Sequence, residues 1–248
     1  MSIAYSPVLP AEVRQRLLGG VVVQCAMDEE AEPFLAATEP LGESLDFARA
    51  RFHPRSHQGR PLLLVRSGIG LVNAASAATS ALAAVEPRAL ISAGSAGGLR
   101  ADVEVGDLAI GETYTYTDAD ATAFGYERGQ VPGMPERYHA APALLAAART
   151  LAPEEGRHLV GQMLAGGSFV TAANVKDARE AFPEAVSTDM ETTAIAQVAG
   201  SAGVDFLSLR GISDLCGPSA DQDFHMAVEV VAARAAAASL AVIAATRA

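Results

Sequence analysis

Two acidic residues that are far apart in the sequence, Glu30 and Asp214, each follow a stretch that reads as a buried β-strand. The first stretch is apolar from Val21 to Met27, and the second runs from Asp205 to Ile212. In an open sheet of parallel strands covered by helices, ligands lie beyond the carboxyl ends of the strands. Two carboxylates delivered to one such rim can divide the work of a general acid and a general base. The pair therefore predicts acid–base chemistry at the edge of a sheet.

The acidic run that contains Glu30 also has a purely structural interpretation. Asp28–Glu30 suits the first turn of a helix, where the helix dipole favours negative charge. Glu191 has the same ambiguity, because it lies in the first turn of a helix predicted over Met190–Ala202 with Asp189 as its N-cap. As a ligand group, an ionised Glu191 would suit two neighbouring hydroxyls, since a carboxylate accepts more than one O–H donor.

Arg210 interrupts an otherwise apolar predicted strand. A buried arginine without a partner is costly, so an acidic group should face it. Glu30, Glu191 and Asp214 are the candidates. A structural salt bridge would satisfy the arginine as well as a functional one.

A run of small residues, Gly94–Gly98, follows a short predicted strand at Ala89–Ala93. We expect this run to be a loop whose missing side chains let a ligand approach the backbone closely. It lacks the lysine of a phosphate-binding P-loop and the spacing of a dinucleotide fingerprint, so a tight strand-to-helix turn is the alternative. Phe169 follows a second glycine pair and belongs either to the core or to a stacking contact with a planar ligand.

The composition limits the classes of partner. The chain has 248 residues, half of them apolar, which fits one large domain. Its formal net charge of −11 argues against nucleic acid and against an anionic membrane surface. The apolar stretch Ala235–Ala245 is shorter than a membrane span. Two cysteines, Cys25 and Cys216, are too few for a disulfide framework, so we expect a reducing, cytoplasmic compartment.

A metal site is not predicted from the histidines. His53 and His57 are four residues apart, but Pro54 excludes a helix that would bring them to one face. The other histidines are isolated in the sequence, and no serine stands in a nucleophile-elbow motif.

Strands alternate with helices along the chain, which predicts an α/β domain whose sheet is covered on both faces. Residues 1–19 are expected to form an extension with a short helix, and residues 20–248 a single domain. A further strand is expected at Val103–Glu112, around a turn at Gly106–Asp107. The segment Tyr116–Tyr138 is predicted to be irregular, and segments of that length usually carry function or an interface.

Several motifs resemble, in the same order along the chain, those of the nucleoside phosphorylase and nucleosidase superfamily. The most specific is Asp118–Tyr126, an Asp-Ala-Asp-Ala-Thr-Ala-Phe-Gly-Tyr run. Within that superfamily the sequence is most similar to the bacterial methylthioadenosine/S-adenosylhomocysteine nucleosidases. The other matching segments are Ala26–Glu30, Ser67–Gly70, Gly94–Leu99, Val105–Asp107, Gly129–Gly133, Asp189–Ala196 and Arg210–Asp214.

The resemblance implies a three-layer α/β/α sandwich around a mixed, partly barrel-like central sheet, usually in a homodimer. It implies hydrolysis of the N-glycosidic bond of adenine nucleosides with a modified 5′ carbon, without a metal or cofactor. Glu30 would act as the general base on water, and Asp214 would protonate N7 of adenine. Further residues that would contact the substrate or orient these groups are Ile69, Ser95, Gly97, Phe124, Phe169, Val170, Met190, Glu191, Arg210 and Ser213.

By the same resemblance, the substrate contacts divide according to the part of the nucleoside that they reach. Glu191 would hold the ribose hydroxyls. Phe169 would stack on adenine, and the Val170 backbone would bind its edge. Ile69 and Phe124 would line the side of the 5′ substituent, with Phe124 coming either from the same or from the neighbouring subunit.

Two positions depart from the family pattern. Cys25 stands where glycine is common, which is expected to tighten the strand beside the site. Asp189 replaces a common glutamate before Met190 and is one carbon shorter.

Three alternatives stay open. An aminodeoxyfutalosine nucleosidase would use the same chemistry on another 5′-modified adenine nucleoside. A phosphorylase would use phosphate as the nucleophile, although the anionic Asp28–Glu30 rim disfavours phosphate unless Arg66 or Arg210 supplies a cation. A nucleoside-binding protein without activity would have no need to keep all three candidate acids.

Overall fold

The fold is a mixed sheet with flanking helices, seen in a computed structural model that describes residues 9–152 and 156–246. Within these residues the strands are β1 (Val21–Cys25), β2 (Glu39–Pro40), β3 (Leu45–Phe47), β4 (Ala50–His57), β5 (Arg60–Arg66), β6 (Ala89–Gly98), β7 (Leu108–Tyr116), β8 (Tyr138–His139), β9 (His158–Ala165), β10 (Ala185–Asp189) and β11 (Asp205–Asp214). The helices are α1 (Ala11–Leu17), α2 (Asp28–Ala37), α3 (Leu71–Val85), α4 (Pro142–Arg149), α5 (Val175–Ala181), α6 (Thr192–Ala202) and α7 (Ala220–Ala245).

The strands form one sheet in the order β10-β9-β7-β11-β6-β1-β5-β4-β2, with β3 beside β4 and β8 beside β7. Strand β10 also pairs with β6, so that β6, β10, β9, β7 and β11 close into a ring. Helix α2 packs with α7, α3 packs with α6, and both pairs contact the sheet. The predicted α/β/α architecture around a mixed, partly barrel-like sheet is confirmed.

Three parallel neighbours, β1, β6 and β11, form the centre of the sheet. Val23, Ile91 and Leu207 lie side by side in register and are fully buried. Parallel strands covered on both faces are rich in apolar residues, and most residues of these three strands are apolar, with Gln24, Ser92, Ser208 and Arg210 among the buried exceptions. Their carboxyl ends meet at one edge, where β1 leads to Glu30 in α2 and β11 ends at Asp214.

The prediction of a loop at Gly94–Gly98 is wrong, because this run is the second half of β6. Both ring neighbours pair with it there: β11 in parallel as far as Gly97, and β10 antiparallel at Gly97 and Gly98. A Cβ atom at Gly98 would lie 2.8 Å from the side chain of Val103. The absence of a side chain at Gly98 therefore leaves room for Val103 beside the strand, and the ladder satisfies the backbone polar groups that a loop would expose.

The strand expected over Val103–Glu112 is also shifted. It begins only at Leu108, because Gly106 has φ +93 and lies in a turn that precedes the strand. The segment between β7 and β8 is irregular, as predicted. It also contains a short 3₁₀ turn at Thr122–Phe124.

Helix α6 begins at Thr192 rather than at Met190. The Asp189 carboxylate accepts hydrogen bonds from the backbone N–H groups of Glu191 and Thr192, both at 2.8 Å. An acceptor that takes these N–H groups from outside the helix fixes the junction between β10 and α6. Met190 and Glu191 therefore lie in that junction and not on the helix.

Both ends of the described chain contribute to the core. Leu9 and Leu17 are buried in the same apolar cluster as the central strands, whereas residues 1–8 of the predicted extension lie outside the described residues.

In α7 the stretch Ala227–Ala245 is long and apolar enough to cross a membrane by length and composition, and is longer than the predicted Ala235–Ala245. Half of that stretch is buried, and α7 packs on α2, β6 and β11 as a core helix does.

Candidate active site

A cavity opens at the carboxyl ends of β1, β6 and β11. Two of the predicted site residues do not line this cavity: Arg210 is buried behind the cavity wall, and Phe124 is 83% exposed. The other predicted site residues all line this one cavity: Glu30, Ile69, Ser95, Gly97, Phe169, Val170, Met190, Glu191, Ser213 and Asp214. The strand-end argument thus brings distant parts of the sequence to a single place.

Glu30 is held in the first turn of α2 by four donors. Its Oε2 atom accepts the backbone N–H groups of Ala26 at 2.8 Å and Met27 at 3.2 Å. Its Oε1 atom accepts the backbone N–H of Ser95 at 2.8 Å and the Ser95 hydroxyl at 2.9 Å. The Glu30 carboxylate therefore caps its own helix and also faces the cavity.

Asp214 is the last residue of β11 and is 2% exposed. Its Oδ1 atom accepts the backbone N–H of Cys216 at 2.9 Å, and its Oδ2 atom accepts the Ser213 hydroxyl at 3.0 Å. Burial raises the pKa of Asp214 above its ordinary value, and the charge of Asp223 acts in the same direction, while hydrogen bonds from the Cys216 backbone, the Ser213 hydroxyl and the Cys216 thiol oppose the shift. A carboxyl that keeps its proton more readily is suited to serve as a general acid.

Arg210 is the buried cation behind the site. Its guanidinium lies 3.5 Å from Asp189 Oδ2, 3.6 Å from Glu191 Oε2 and 3.9 Å from Glu30 Oε1. It also donates hydrogen bonds to the Ser95 carbonyl and the Ser92 hydroxyl. One guanidinium therefore faces three buried carboxylates, of which Asp189 was not predicted as its partner.

Glu191 is affected by this excess of three carboxylates over one guanidinium. Its Oε1 atom accepts the backbone N–H of Gly70 at 2.8 Å. Burial raises the pKa of Glu191 to about 7; Arg210 opposes the shift, and the charges of Asp189 and Glu30 add to it. Glu191 thus exchanges its proton close to neutral pH while facing the cavity.

Aromatic and apolar side chains form the remaining walls. Phe169 is 44% exposed and packs edge-to-face on Phe224 of α7, with ring centroids 6.0 Å apart. Ile69 is half-exposed, at 51%, in the turn before α3. A planar ligand that entered the cavity would meet these groups first on its apolar side.

Several lining residues were not predicted as site residues: Ala26, Met27, Ala96, Ser168, Thr188, Asp189, Cys216 and Phe224. All but Phe224 lie within four residues of a predicted one, so proximity along the chain was the available signal. Phe224 carries no such signal, because it reaches the cavity only through the way α7 folds back after β11.

The lining, as far as the structure describes it, includes no Lys, Arg or His side chain. Arg66 is engaged outside the cavity, where its Nε donates to Asp28 Oδ1 at 3.0 Å. Among the described residues, no group of three or more His, Cys, Asp or Glu side chains is arranged to hold a metal ion. The polar chemistry of the cavity is carried by carboxyl, hydroxyl and backbone groups.

The fold has a known counterpart. The family model of the phosphorylase superfamily matches residues 21–246, a span that includes the whole ring and both candidate acids. The chain belongs to the phosphorylase superfamily.

Individual relatives define the family more closely. The 5′-methylthioadenosine/S-adenosylhomocysteine nucleosidase of Halalkalibacterium halodurans is 38% identical over 220 residues, which cover 88% of this chain and 95% of that protein. The nucleosidase of the same name from Chromohalobacter salexigens is 38% identical over 214 residues, which cover 85% and 91%. The crystal structure of the Neisseria meningitidis nucleosidase in complex with methylthio-immucillin-A superposes with a TM-score of 0.88 at 32% identity, covering 92% of this chain and all of that one. Within the superfamily, this chain is a member of the 5′-methylthioadenosine/S-adenosylhomocysteine nucleosidases.

Proposed function

We propose that the protein hydrolyses the N-glycosidic bond of 5′-methylthioadenosine and S-adenosylhomocysteine, releasing adenine and the 5-thioribose product. One observation carries the proposal: two buried carboxyl groups, Glu30 in the first turn of α2 and Asp214 at the end of β11, face one cavity. They contact β6 at Gly94 and Gly97, which are three residues, or roughly 10 Å, apart along the strand. A nucleoside lying over this part of β6 would present its sugar to one carboxyl and its imidazole edge to the other.

Glu30 is the general base for the attacking water in this proposal. Its four hydrogen bonds hold the carboxylate in one orientation at the cavity before the substrate arrives. Ser95 contributes two of those donors, and Arg210 supports the negative charge from behind. These two residues orient the base and do not need to touch the substrate.

Asp214 is the general acid. Cleavage of the glycosidic bond builds negative charge on the purine, and a proton delivered to N7 removes that charge and allows the base to leave. Burial favours the protonated carboxyl, and the Ser213 hydroxyl and the Cys216 N–H fix its orientation. Gly97 lies beside the carboxyl and leaves room for the purine, since a Cβ there would lie 3.1 Å from Asp214 Oδ1.

The remaining lining residues position the nucleoside. Glu191 accepts the ribose hydroxyls, and Met190 lies beside the sugar in the β10–α6 junction. Phe169 stacks on adenine, with the Val170 backbone at the edge of the ring. Transition-state charge develops on the sugar between Glu30 and Glu191, where negative groups stabilise it.

Water is favoured over phosphate as the nucleophile. A phosphorylase needs cationic groups that hold the anion beside the sugar. Arg210 is committed to three buried carboxylates and Arg66 to Asp28, and the described lining offers no other cation. The electrostatics of this cavity repel a phosphate dianion.

The active form in this proposal is a cytoplasmic homodimer that needs neither metal nor cofactor. Phe124 is 83% exposed at the tip of the irregular segment between β7 and β8, a degree of exposure that is unusual for a phenylalanine. In a dimer, Phe124 of one subunit would cover the 5′ side of its neighbour's cavity, next to Ile69. The dimer would then complete the site rather than only stabilise the fold.

The test is adenine release from methylthioadenosine, S-adenosylhomocysteine and aminodeoxyfutalosine, measured side by side in phosphate-free buffer. We expect comparable turnover of the first two. Turnover of aminodeoxyfutalosine alone would move the assignment to that nucleosidase. Dependence on added phosphate, with a sugar 1-phosphate as the product, would make the protein a phosphorylase.

A further inference from the structure

The turn between β10 and α6, which carries Glu191 into the cavity, is held by a single side chain. Asp189 is the last residue of β10 and is buried. Its Oδ1 atom accepts the backbone N–H groups of Glu191 and Thr192, each at 2.8 Å, and its Oδ2 atom accepts the Thr192 hydroxyl. All three donors belong to the start of α6, so the Asp189 carboxylate fixes where the Glu191 backbone lies relative to the sheet.

The Glu191 side chain lines the cavity and is held at its carboxyl end as well. Its Oε1 atom accepts the backbone N–H of Gly70 at 2.8 Å, and its Oε2 atom lies 3.6 Å from Arg210. Gly70 precedes α3 and Arg210 lies on β11, so two other elements set the position of the carboxyl group. The hydrogen bonds of Asp189 set the position of the backbone from which this side chain starts.

Charge balance alone does not account for Asp189. Arg210 also faces Glu30 and Glu191, so it keeps two acidic partners without Asp189. The 3.5 Å contact between Arg210 Nε and Asp189 Oδ2 is not a hydrogen bond, because this Nε atom has no hydrogen-bond partner among the described residues. The hydrogen bonds of Asp189 go to the turn instead.

The charge of Asp189 has an effect on Glu191 that is opposite to the effect of these hydrogen bonds. Burial is the main cause of the raised pKa of Glu191, and the charge of Asp189 adds to the shift. If charge alone mattered, removing Asp189 would make Glu191 more readily ionised and a better acceptor for a hydroxyl. If the hydrogen bonds to the turn matter more, removing Asp189 would make Glu191 a poorer acceptor. The sign of the change therefore distinguishes the two effects.

We propose that Asp189 is a positioning residue for Glu191, whose hydrogen bonds to the β10–α6 turn place the Glu191 carboxyl to accept the hydroxyls of the sugar. The inference rests on the proposed function, in which Glu191 binds the ribose. A hydrogen bond weakens steeply when its geometry is lost, and a displacement of about 1 Å in a positioning group can cost a hundredfold in rate. Asp189 therefore determines how well the site distinguishes a ribose from a deoxyribose.

The test measures hydroxyl selectivity, which is the ratio of kcat/KM for methylthioadenosine to kcat/KM for its 2′-deoxy analogue. The intrinsic lability of the deoxy sugar cancels when the same two substrates are compared in every variant. A buffer above the Glu191 pKa of about 7 keeps this carboxyl ionised in each protein, which removes the effect of charge on its protonation. We expect Asp189→Ala to lower the selectivity about tenfold, within the range of a hydrogen bond to a charged group. Asp189→Asn keeps an oxygen acceptor for the two N–H groups and should lower it less.

A double variant shows whether Asp189 acts through Glu191. Glu191→Ala should abolish the selectivity, and adding Asp189→Ala to it should lower the ratio no further. Asp107→Ala is the matched control for a destabilised fold. Asp107 is also a buried carboxylate that accepts two backbone N–H groups, those of Glu104 and Arg157, but it is outside the cavity lining. This control should unfold more easily and keep the selectivity of the wild type.

Unchanged or increased selectivity in a folded Asp189→Ala protein would overturn the proposal, as would a loss in Asp189→Asn equal to that in Asp189→Ala. A further fall on adding Asp189→Ala to Glu191→Ala would also overturn it, because Asp189 would then contact the sugar directly. Where Asp189→Ala does not fold, Thr192→Val, which removes one of the three donors, should lower the selectivity, and an unchanged ratio there would have the same consequence.

Failure of the proposed function gives a different result. A wild-type protein that releases no adenine from either nucleoside would refute the proposed hydrolysis and not the role of Asp189. In that case the dissociation constants of methylthioadenosine and its 2′-deoxy analogue, measured by calorimetry, give the same selectivity without catalysis. An equal ratio of these constants in the wild type and in folded Asp189→Ala would then overturn the proposal for Asp189.

Discussion

The Glu30 carboxylate occupies the space that a side chain at position 94 would need. A Cβ atom at Gly94 would lie 2.3 Å from Glu30 Oε1 and 2.5 Å from its carboxyl carbon, and φ at Gly94 is +156. No rotation of a methyl group relieves such a contact. Glycine at position 94 is therefore required by the Glu30 carboxylate and not by a flexible loop.

Gly94→Ala should reduce adenine release by at least about a hundredfold, because the added methyl displaces Glu30 from its four donors. Gly200→Ala is the matched control, since a Cβ there meets only Tyr138, at an ordinary 3.5 Å. That control should keep full turnover and gain about 0.5–1 kcal/mol of helix stability. Steady-state rates of adenine release and thermal unfolding are measured for both variants. Normal turnover in a folded Gly94→Ala protein would contradict this role of the glycine.

Glu191 should make stability depend on pH. Its pKa of about 7 in the folded protein lies above the ordinary 4.5, so the fold binds this proton more tightly than the unfolded chain does. The contribution is fully present below about pH 4.5 and is lost as the pH rises through 7. Glu191→Gln, which cannot titrate, should therefore gain on the order of 1–3 kcal/mol relative to the wild type across that window.

Denaturant unfolding at several pH values from 4.5 to 7.5 measures this difference. Glu180→Gln, at a side chain that is 69% exposed, is the control and should run parallel to the wild type. Parallel curves for Glu191→Gln as well would show that the buried cluster does not hold this proton.

Removing the buried cation should destabilise the fold strongly. Arg210→Met leaves Glu30, Asp189 and Glu191 buried without their shared partner, which typically costs about 3–5 kcal/mol when one member of a buried pair is removed. Arg51→Met breaks an exposed pair with Asp46 and should cost less than about 1 kcal/mol. Equal losses in the two variants, measured by denaturant unfolding, would mean that the cluster is not held by charge.

Phe124 tests the proposed contribution of a second subunit. Because the side chain is 83% exposed in the single chain, Phe124→Ala should leave thermal stability unchanged. It should raise KM for methylthioadenosine about tenfold, the effect of losing about 1.4 kcal/mol of substrate contact. Val230→Ala, at another exposed apolar residue, should change neither value. An unchanged KM for a Phe124→Ala protein that is dimeric by sedimentation would remove this residue from the site.

Much of the site could be predicted from local patterns. Apolar strands followed by acids place Glu30 and Asp214 at strand ends, and parallel strands bring their carboxyl ends to one edge. The isolated Arg210 in an apolar strand indicated a buried charge cluster, because a buried charge needs partners of opposite sign. These signals depend on short stretches of sequence, which is why they could be found.

What could not be predicted depends on pairing between distant segments. The ring closes because β10 pairs with β6, and that pairing turns Gly94–Gly98 from a predicted loop into strand. Asp189 as a third carboxylate on Arg210, and Phe224 as a wall of the cavity, follow from the same three-dimensional arrangement. Composition alone cannot distinguish glycines that bend a chain from glycines that let two strands and a carboxylate approach.

The most direct test of the two-acid mechanism is the initial rate of adenine release from methylthioadenosine in phosphate-free buffer, compared between the wild type, Asp214→Asn and Glu30→Gln. We expect steady release by the wild type and losses of roughly a hundredfold to ten-thousandfold in each variant, with the nucleoside still bound in calorimetry. Near-normal release by either variant in its folded form would show that the two carboxyl groups do not act on the same glycosidic bond.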